Sequence, residues 1–270
     1  YVFGRNAGGT EYWGEVKKLT SSDGESGDVF GWSVSISGDV IVAGAYLDTW
    51  KKVVIKGNPG SAYTFGRDIG GINNWGQLKK LTASDATPGD FFGYSVSISG
   101  GTIVVGAYGD DIGLKIDQGS AYVYKQNPSG PDKWTEMKKL IASDGAAYGY
   151  FGYSVSISGD TIIAGSFTDD VGENTGQGSA YMFERNFGGT ENWGEMKKLI
   201  ASDGVSGDFF GYSVSISGDI VIVGAYAEEL IYPGQGSAYL FERNTGVIFP
   251  MNLSKESMPA LSRAFSMKRS

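Results

Sequence analysis

The sequence contains no cysteine and no histidine. Without cysteine there are no disulfides, no thiol catalysis and no cysteine-ligated zinc. Without histidine the chain lacks the Ser-His-Asp triad, the usual general base near neutral pH and the commonest ligand of transition metals. Hydrolysis of a glycan by a pair of carboxylates needs neither residue and stays open. We expect a protein that is not an enzyme.

Proline is scarce, with 7 residues, and no apolar run is long enough to span a bilayer. Glycine is abundant instead, with 43 residues, and 13% of the chain is aromatic. Glycine at tight reversals and aromatic side chains between them are typical of short β-strands. The formal net charge is −8. Because an acidic surface repels phosphate backbones, we expect no nucleic-acid partner, and we also expect no membrane span.

Three separate blocks recur four times, at intervals of 62, 59 and 59 residues. The first block, Ser-Val-Ser-Ile-Ser-Gly, begins at Ser33, Ser95, Ser154 and Ser213. The second is the pair Phe30-Gly31, Phe92-Gly93, Phe151-Gly152 and Phe210-Gly211. The third runs from a tryptophan to Lys-Lys-Leu and begins at Trp13, Trp75, Trp134 and Trp193. The chain is therefore a tandem repeat.

Each repeat predicts four β-strands, a to d. In the second repeat these are Tyr94–Ile98, Thr102–Val105, Ser120–Tyr124 and Trp134–Leu140. Strand a alternates apolar and small polar residues, whereas strand b is a β-branched run of the kind that is buried on both faces. The N-terminus adds one strand c and one strand d, and the fourth repeat ends after its strand c, so the count is 17 strands.

The repeat predicts one repetitive region, residues 1–246, followed by a tail. The predicted units are 1–22, 23–84, 85–143, 144–202 and 203–246. The tail, 247–270, carries Lys255, Arg263, Lys268 and Arg269 against Glu256, a net charge of +3. It is predicted either to form a short helix that docks on the acidic body or a partner, or to be a frayed end.

The motifs resemble the FG-GAP repeat of integrin α-subunit propellers and of many bacterial surface proteins, and most closely its prokaryotic type. Phe-Gly precedes strand a, and Gly-Ala follows strand b at Gly44, Gly106 and Gly224, with Gly165-Ser166 as the variant. The resemblance implies an all-β propeller of four-stranded antiparallel blades, with four full or near-full repeats and a partial N-terminal one. One departure is that an aromatic residue occupies the third motif position, where the family often has proline: Tyr46, Tyr108, Phe167 and Tyr226.

The Phe-Gly pairs are predicted to be structural. We expect the rings of Phe30, Phe92, Phe151 and Phe210 to pack between adjacent blades. We expect the glycines that follow them, Gly31, Gly93, Gly152 and Gly211, to let the backbone pass close to the neighbouring repeat.

The resemblance also raises the question of calcium, because integrin-type repeats often carry an Asp-rich loop between strands a and b. Here Ser-Gly-Asp or Ser-Gly-Gly joins these strands. That turn is too short for oxygen ligands to converge on a cation, so we expect no metal there. We expect no cofactor, and calcium would have to bind elsewhere.

The loops between strands b and c are the candidate ligand-binding region, because they vary most among the repeats. Their candidate residues are Asp48, Trp50, Asp110, Asp111, Asp169, Asp170, Glu228 and Glu229. The alternative, which we favour, is that these are solvated acidic loops. A second acidic set ahead of Phe-Gly, which includes Asp90 and Asp208, is predicted to cap turns. The Lys-Lys pairs on strand d are predicted to protect an exposed sheet edge.

Three functions are compatible with this pattern. The first is an extracellular or cell-surface module that binds or adheres to a protein or glycan ligand. The second is a structural subunit that assembles head-to-tail into fibres by strand complementation, through an assembly edge formed by Tyr1, Val2, Phe3, Tyr239 and Phe241. The third is a carbohydrate-binding or carbohydrate-active domain that uses exposed aromatic residues.

Overall fold

The computed structural model describes residues 1–48, 58–127, 134–228 and 234–243. These residues form 17 β-strands, the number that the repeat predicts, and no helix. The strands are β1 (Val2–Arg5), β2 (Trp13–Lys17), β3 (Val34–Ser37), β4 (Val40–Ala45), β5 (Ser61–Arg67), β6 (Trp75–Leu81), β7 (Ser95–Ser99), β8 (Thr102–Ala107), β9 (Ser120–Gln126), β10 (Trp134–Leu140), β11 (Ser154–Ser158), β12 (Thr161–Ser166), β13 (Ser179–Arg185), β14 (Trp193–Leu199), β15 (Phe210–Ser217), β16 (Ile220–Ala225) and β17 (Ser237–Glu242). Over the same ranges, no helix is present that could cross a membrane.

The strands form five antiparallel sheets in chain order. An N-terminal hairpin pairs β1 with β2, and blades 1, 2 and 3 contain β3–β6, β7–β10 and β11–β14. Blade 4 contains three described strands, β15–β17. This is the predicted β-propeller architecture, with strand a innermost in each blade. The N-terminal strand d, β2, pairs with β1 and not with β17, so it does not complete blade 4.

Strand b of an inner blade is buried on both faces because that blade lies between two others. In blade 2, Ile103 and Val105 pack in one cluster with Val42 of blade 1. Val104, on the opposite face, packs in another cluster with Val155 of blade 3. The strand b residues Val42, Ile103, Val104 and Val105 are completely shielded from solvent. The β-branched run in the sequence therefore follows from the stacking of blades.

The Phe-Gly pairs lie at these junctions. Phe92, Phe151 and Phe210 are fully buried, and Phe92 belongs to the cluster that joins blades 1 and 2. Gly93 has a φ of +92°, and a Cβ added there would lie 2.2 Å from the carbonyl oxygen of Ser61 in blade 1. Only glycine fits this close approach. Phe30 is only partly buried, because the N-terminal hairpin supplies half a blade.

Serine hydroxyls join the innermost strands of consecutive blades. Between blades 2 and 3, Ser95 Oγ donates to Gly152 O at 2.8 Å. In return, Ser97 Oγ accepts from Ile157 N at 3.1 Å and Ser99 Oγ accepts from Gly159 N at 3.0 Å. The same three bonds recur between blades 1 and 2 and between blades 3 and 4. The three serines of the Ser-Val-Ser-Ile-Ser block thus join consecutive blades by hydrogen bonds.

Candidate functional site

The loops from strand b to c and from strand d to the next strand a meet at one end of the blades, here called the loop rim. Four of the predicted ligand residues are buried there: Asp48, Asp110, Asp169 and Glu228. Asp111 and Asp170 are exposed, and each accepts a hydrogen bond from a backbone N–H six residues later in its own loop. Trp50 and Glu229 lie outside the described residues, as does the predicted tail 247–270.

In blades 1 to 3, the buried acids belong to clusters of two carboxylates, one tyrosine and one lysine. In blade 2, the Tyr122 hydroxyl lies 2.6 Å from Asp85 Oδ1 and 2.9 Å from Asp110 Oδ2. Lys139 Nζ lies 2.7 Å from Asp85 Oδ2 and 2.6 Å from Asp110 Oδ2. The same ammonium lies 5.4 Å from the centre of the Tyr122 ring, within cation–π range.

The cluster recurs at the same repeat positions, which shows that it belongs to the scaffold. Blade 1 uses Asp23, Asp48, Tyr63 and Lys80, and blade 3 uses Asp144, Asp169, Tyr181 and Lys198. In blade 4, Tyr239 bonds to Asp203 and Glu228 at 2.9 and 2.8 Å. In blades 1 to 3, the second lysine of the strand d pair is therefore an ion-pair partner of a buried acid, and the prediction of simple edge protection is incomplete. A ligand role for the acids stays a prediction.

The electrostatics of the cluster keep Asp85 ionised and Tyr122 protonated near neutral pH. Burial opposes ionisation of Asp85, but hydrogen bonds from Lys139 and Tyr122 outweigh it and hold the pKa of Asp85 below its usual value. Burial, together with the nearby carboxylates, raises the pKa of Tyr122 far above its usual value. Neither group changes its protonation near neutral pH, so the cluster is suited to hold the loops in place and not to transfer protons.

Of the second acidic set ahead of Phe-Gly, Asp28, Asp90 and Asp208 cap turns, as predicted, whereas Asp23, Asp85, Asp144 and Asp203 bond to the tyrosines of the clusters. Asp28, Asp90 and Asp208 each accept a hydrogen bond from the backbone N–H three residues earlier, at 2.6, 2.6 and 2.7 Å. Burial raises the pKa of Asp90 to about 6, against the opposing effect of its hydrogen bonds from Thr87. These acids stabilise the approach to strand a.

The loop rim also carries a continuous row of aromatic rings, here called the aromatic ribbon. Three repeat positions supply it: the residue after Phe-Gly, the residue after Gly-Ala or Gly-Ser, and the residue before Phe-Gly. Its members are Trp32, Tyr46, Phe91, Tyr94, Tyr108, Tyr150, Tyr153, Phe167, Phe209, Tyr212 and Tyr226.

The ribbon crosses all four blades without a break. Its spine runs through Trp32, Tyr94, Tyr153 and Tyr212, with ring centres 5.5, 4.8 and 5.0 Å apart. Hydrogen bonds between hydroxyls join Tyr94 to Tyr153 at 2.8 Å and Tyr153 to Tyr212 at 3.2 Å. Beside the spine, one stacked pair lies in each of blades 2, 3 and 4: Phe91–Tyr108, Tyr150–Phe167 and Phe209–Tyr226, at interplanar angles of 19, 18 and 12°.

Backbone strain accompanies the ribbon. The residue before Phe-Gly has a positive φ in every blade: 55° at Val29, 57° at Phe91, 53° at Tyr150 and 57° at Phe209. Bulky side chains avoid this region at a cost of roughly 1–2 kcal/mol each, and glycine would adopt it freely. Three of the four positions nevertheless carry a stacked aromatic ring. Strain of this kind is found most often at binding and active sites.

The ribbon is only partly shielded from water. Trp32 and Tyr226 are each 51% exposed, and the middle members of the spine are half-buried. The sequence contains a signal for it, namely the aromatic residue in place of proline at the third motif position. That departure is visible in the sequence, but the sequence does not place these rings together, because the spine contacts join residues about one repeat apart.

The described residues contain no group of three or more acidic side chains arranged to hold a metal ion. The turns between strands a and b each contain two residues: 38–39, 100–101, 159–160 and 218–219. The prediction that these turns bind no calcium rests on that length and stays a prediction.

Comparison with known proteins identifies the repeat. The sequence model described as "FG-GAP repeat" matches residues 13–65, 75–124, 134–183 and 193–241. No curated protein matches the chain. One similar solved structure is the β-propeller domain of the Trilobed protease from Pyrococcus furiosus, which is described as having an open velcro topology. It is 12% identical, with a TM-score of 0.43, and the match covers 81% of this chain and 56% of that one.

Proposed function

The chain belongs to the FG-GAP repeat family, and from that premise we propose that it is a non-catalytic binding module whose contact surface is the aromatic ribbon. The proposal places the module outside the cell or on its surface, as the resemblance to integrin-type and bacterial surface repeats implies. Treating intact source cells with protease, and testing whether the module is cleaved, would check that location.

The observation that carries the proposal is the continuity of partly exposed rings across four blades. The core of the propeller needs no aromatic side chain at the loop rim, since the Phe-Gly rings already fill the junctions between blades. The strained backbone at Phe91, Tyr150 and Phe209 costs stability, and each of these positions carries a stacked ribbon ring. Because this backbone strain recurs in blade after blade and the rings have no packing role in the core, a role of the rings in binding is favoured.

The chemistry of the ribbon favours a ligand with a flat apolar face and hydrogen-bonding groups. Tyrosine and tryptophan provide large contact areas with few rotatable bonds, which is why they dominate binding surfaces. The spine hydroxyls of Tyr94, Tyr153 and Tyr212 offer polar contacts along the same row. A protein segment or a glycan chain meets this description. An anionic polymer does not, because the chain is acidic.

The test is an array that displays both glycans and peptides, probed with three proteins. The unsubstituted protein should bind a subset of one class, and Tyr153→Ala should lose that binding. Tyr12→Ala is the matched control, because Tyr12 is 70% exposed and lies in the hairpin loop between β1 and β2, away from the ribbon. Binding that survives in Tyr153→Ala, or is lost equally in Tyr12→Ala, would exclude the ribbon as the contact surface.

A further inference from the structure

The two ends of the propeller expose apolar side chains that every inner junction buries. On blade 1, the face turned away from blade 2 exposes 67% of Val34 and 58% of Ile36. Their counterparts in blades 2 and 3, Val96, Ile98, Val155 and Ile157, are only 6–8% exposed. This surface of blade 1 is here called the leading face. It borders a cavity of about 450 Å³ that Val2, Leu19 and Phe30 also line.

Blade 4 exposes the opposite half of the same junction. On its face turned away from blade 3, here called the trailing face, Ile222 is 37% exposed. Its counterparts Val42, Val104 and Ile163 are completely buried against the next blade. Ile220, two residues earlier on β16, is 44% exposed on the same face.

The hydrogen-bonding groups of the two faces are complementary as well. At each inner junction, three serines of the earlier blade meet a glycine carbonyl and two N–H groups of the later blade. The trailing face carries the three serines, Ser213, Ser215 and Ser217. The leading face carries the matching carbonyl of Gly31 and the N–H groups of Ile36 and Gly38. In the described ranges, no junction of this kind joins the two faces within one chain.

From this complementarity we propose that the trailing face of one chain docks on the leading face of a second copy and reproduces the junction between blades. The contact is head-to-tail, so it generates a ring or a filament according to the rotation between copies. The proposal does not depend on the aromatic ribbon having a ligand.

The N-terminal hairpin gives the docked copy a place for its outer strand. β1 and β17 are both strands c, so β17 of the arriving copy displaces the four-residue β1 and pairs with β2. Lys18 on that hairpin is the repeat counterpart of Lys80, yet within the described ranges it has the Tyr1 ring at 5.8 Å and no carboxylate. After docking it would reach Glu228 and Tyr239, as Lys80 reaches Asp48 and Tyr63.

The predicted assembly edge is redefined by this arrangement. Tyr1 and Phe3 are exposed, whereas Tyr239 and Phe241 are buried in the core of blade 4. In the proposed contact, β17 therefore contributes its outer backbone edge, and Ile220 and Ile222 contribute the apolar side chains.

Gly224 provides a selective test. At the inner junctions, a Cβ added at the counterpart Gly44, Gly106 or Gly165 would lie 1.9 Å from a carbonyl oxygen of the next blade. At Gly224 the nearest atom is only the Ser213 hydroxyl, which can rotate away. Gly224→Ala should therefore leave the monomer folded while placing a methyl group against Gly31 of the docked copy.

The measurement is sedimentation velocity over a wide range of concentration. We expect the mass of the unsubstituted 270-residue chain to increase with concentration, and Gly224→Ala to weaken that association by at least about tenfold, the equivalent of about 1.4 kcal/mol. Lys18→Met should weaken it as well. Gly101→Ala, in an uncrowded turn of blade 2, should associate like the unsubstituted chain.

Two results would overturn the proposal. One is a chain that sediments as a monomer at every concentration, and the other is association that Gly224→Ala leaves unchanged. A monomer whose melting temperature falls in Gly224→Ala but not in Gly101→Ala would show instead that the two faces meet within one chain.

Discussion

At the scale of single residues, two adjacent lysines on strand d have different roles. Lys139 reaches two carboxylates, and one of them, Asp110, has a side chain only 7% exposed. Lys138 is exposed and bonds to Asn192 of the next blade at 3.0 Å. The difference follows from strand geometry, because neighbouring side chains point to opposite faces of a sheet.

Replacing each lysine in turn separates these roles. Lys139→Met leaves the buried Asp110 carboxylate without its cation and should destabilise the fold by on the order of 3 kcal/mol. Lys138→Met removes an exposed contact and should cost less than about 0.5 kcal/mol. Urea unfolding of the two variants measures both values. Equal losses would mean that the cluster adds no more than a surface contact.

The sequence contained the members of this cluster but not their association. Tyr122 and Asp85 are 37 residues apart, and Lys139 comes from a third segment of the repeat. Their meeting depends on how the loops fold over the end of the blade, which periodicity cannot reveal. The turn-capping acids were predictable, because Asp90 bonds within its own turn to Thr87.

At the scale of the element, the repeat pattern determined the strands closely. Strand d of blade 2 runs over Trp134–Leu140 as predicted, because tryptophan and leucine mark its two buried ends. Strand b extends two residues beyond the predicted Val105, to Ala107, since Gly106 continues the pairing with β9. Glycine normally weakens a strand, so its place here needs another reason.

That reason is the close approach of the next blade, and it gives a prediction. Gly106→Ala should destabilise the fold by about 3 kcal/mol or more, because the added Cβ would meet Gly152 O at 1.9 Å and backbone cannot rotate away. Gly224→Ala is the matched control at the same repeat position, where no following blade is present in the described chain. Its melting temperature should stay close to that of the unsubstituted protein at low concentration. Similar losses in both variants would contradict the assignment of the Gly106→Ala effect to the inner junction alone.

At the scale of the whole molecule, the repeated clusters predict how stability depends on pH. The pKa of Asp23, Asp85 and Asp144 is lower in the folded protein than its usual value, despite burial, because of hydrogen bonds from lysine and tyrosine. Their contribution is present above the unfolded pKa of about 3.9 and is lost as the pH falls through the lower folded values. The contribution of Asp90 to folding stability has the opposite pH dependence. Its raised pKa of about 6 favours the folded state at low pH, and this effect is lost as the pH rises through about 6.

Unfolding free energies measured from pH 3 to pH 7 test this prediction. The unsubstituted protein should lose stability below about pH 4 more steeply than Lys139→Met, which lacks one cluster. The difference between the two proteins should therefore shrink as the pH falls. A difference that stays constant over this range would show that Lys139 does not stabilise the ionised form of Asp85.

The arrangement of consecutive blades is the reason why the site was harder to predict than the fold. Blade architecture follows from local periodicity, which one repeat already shows. The aromatic ribbon is a property of consecutive repeats, since Tyr94 touches Tyr153 of the next blade and Tyr153 touches Tyr212. A single repeat shows only an aromatic residue at each of these positions and not the contact with the next repeat.

The most direct test of the ribbon as the binding surface is equilibrium affinity for the strongest ligand on the array. Tyr153 is the residue to change, because its ring contacts both spine neighbours. Tyr153→Ala should weaken binding by at least about tenfold, as the loss of a central aromatic contact does. Tyr12→Ala should bind with unchanged affinity, and both variants should remain folded by circular dichroism. Unchanged affinity in a folded Tyr153→Ala, or an equal loss in Tyr12→Ala, would contradict the account.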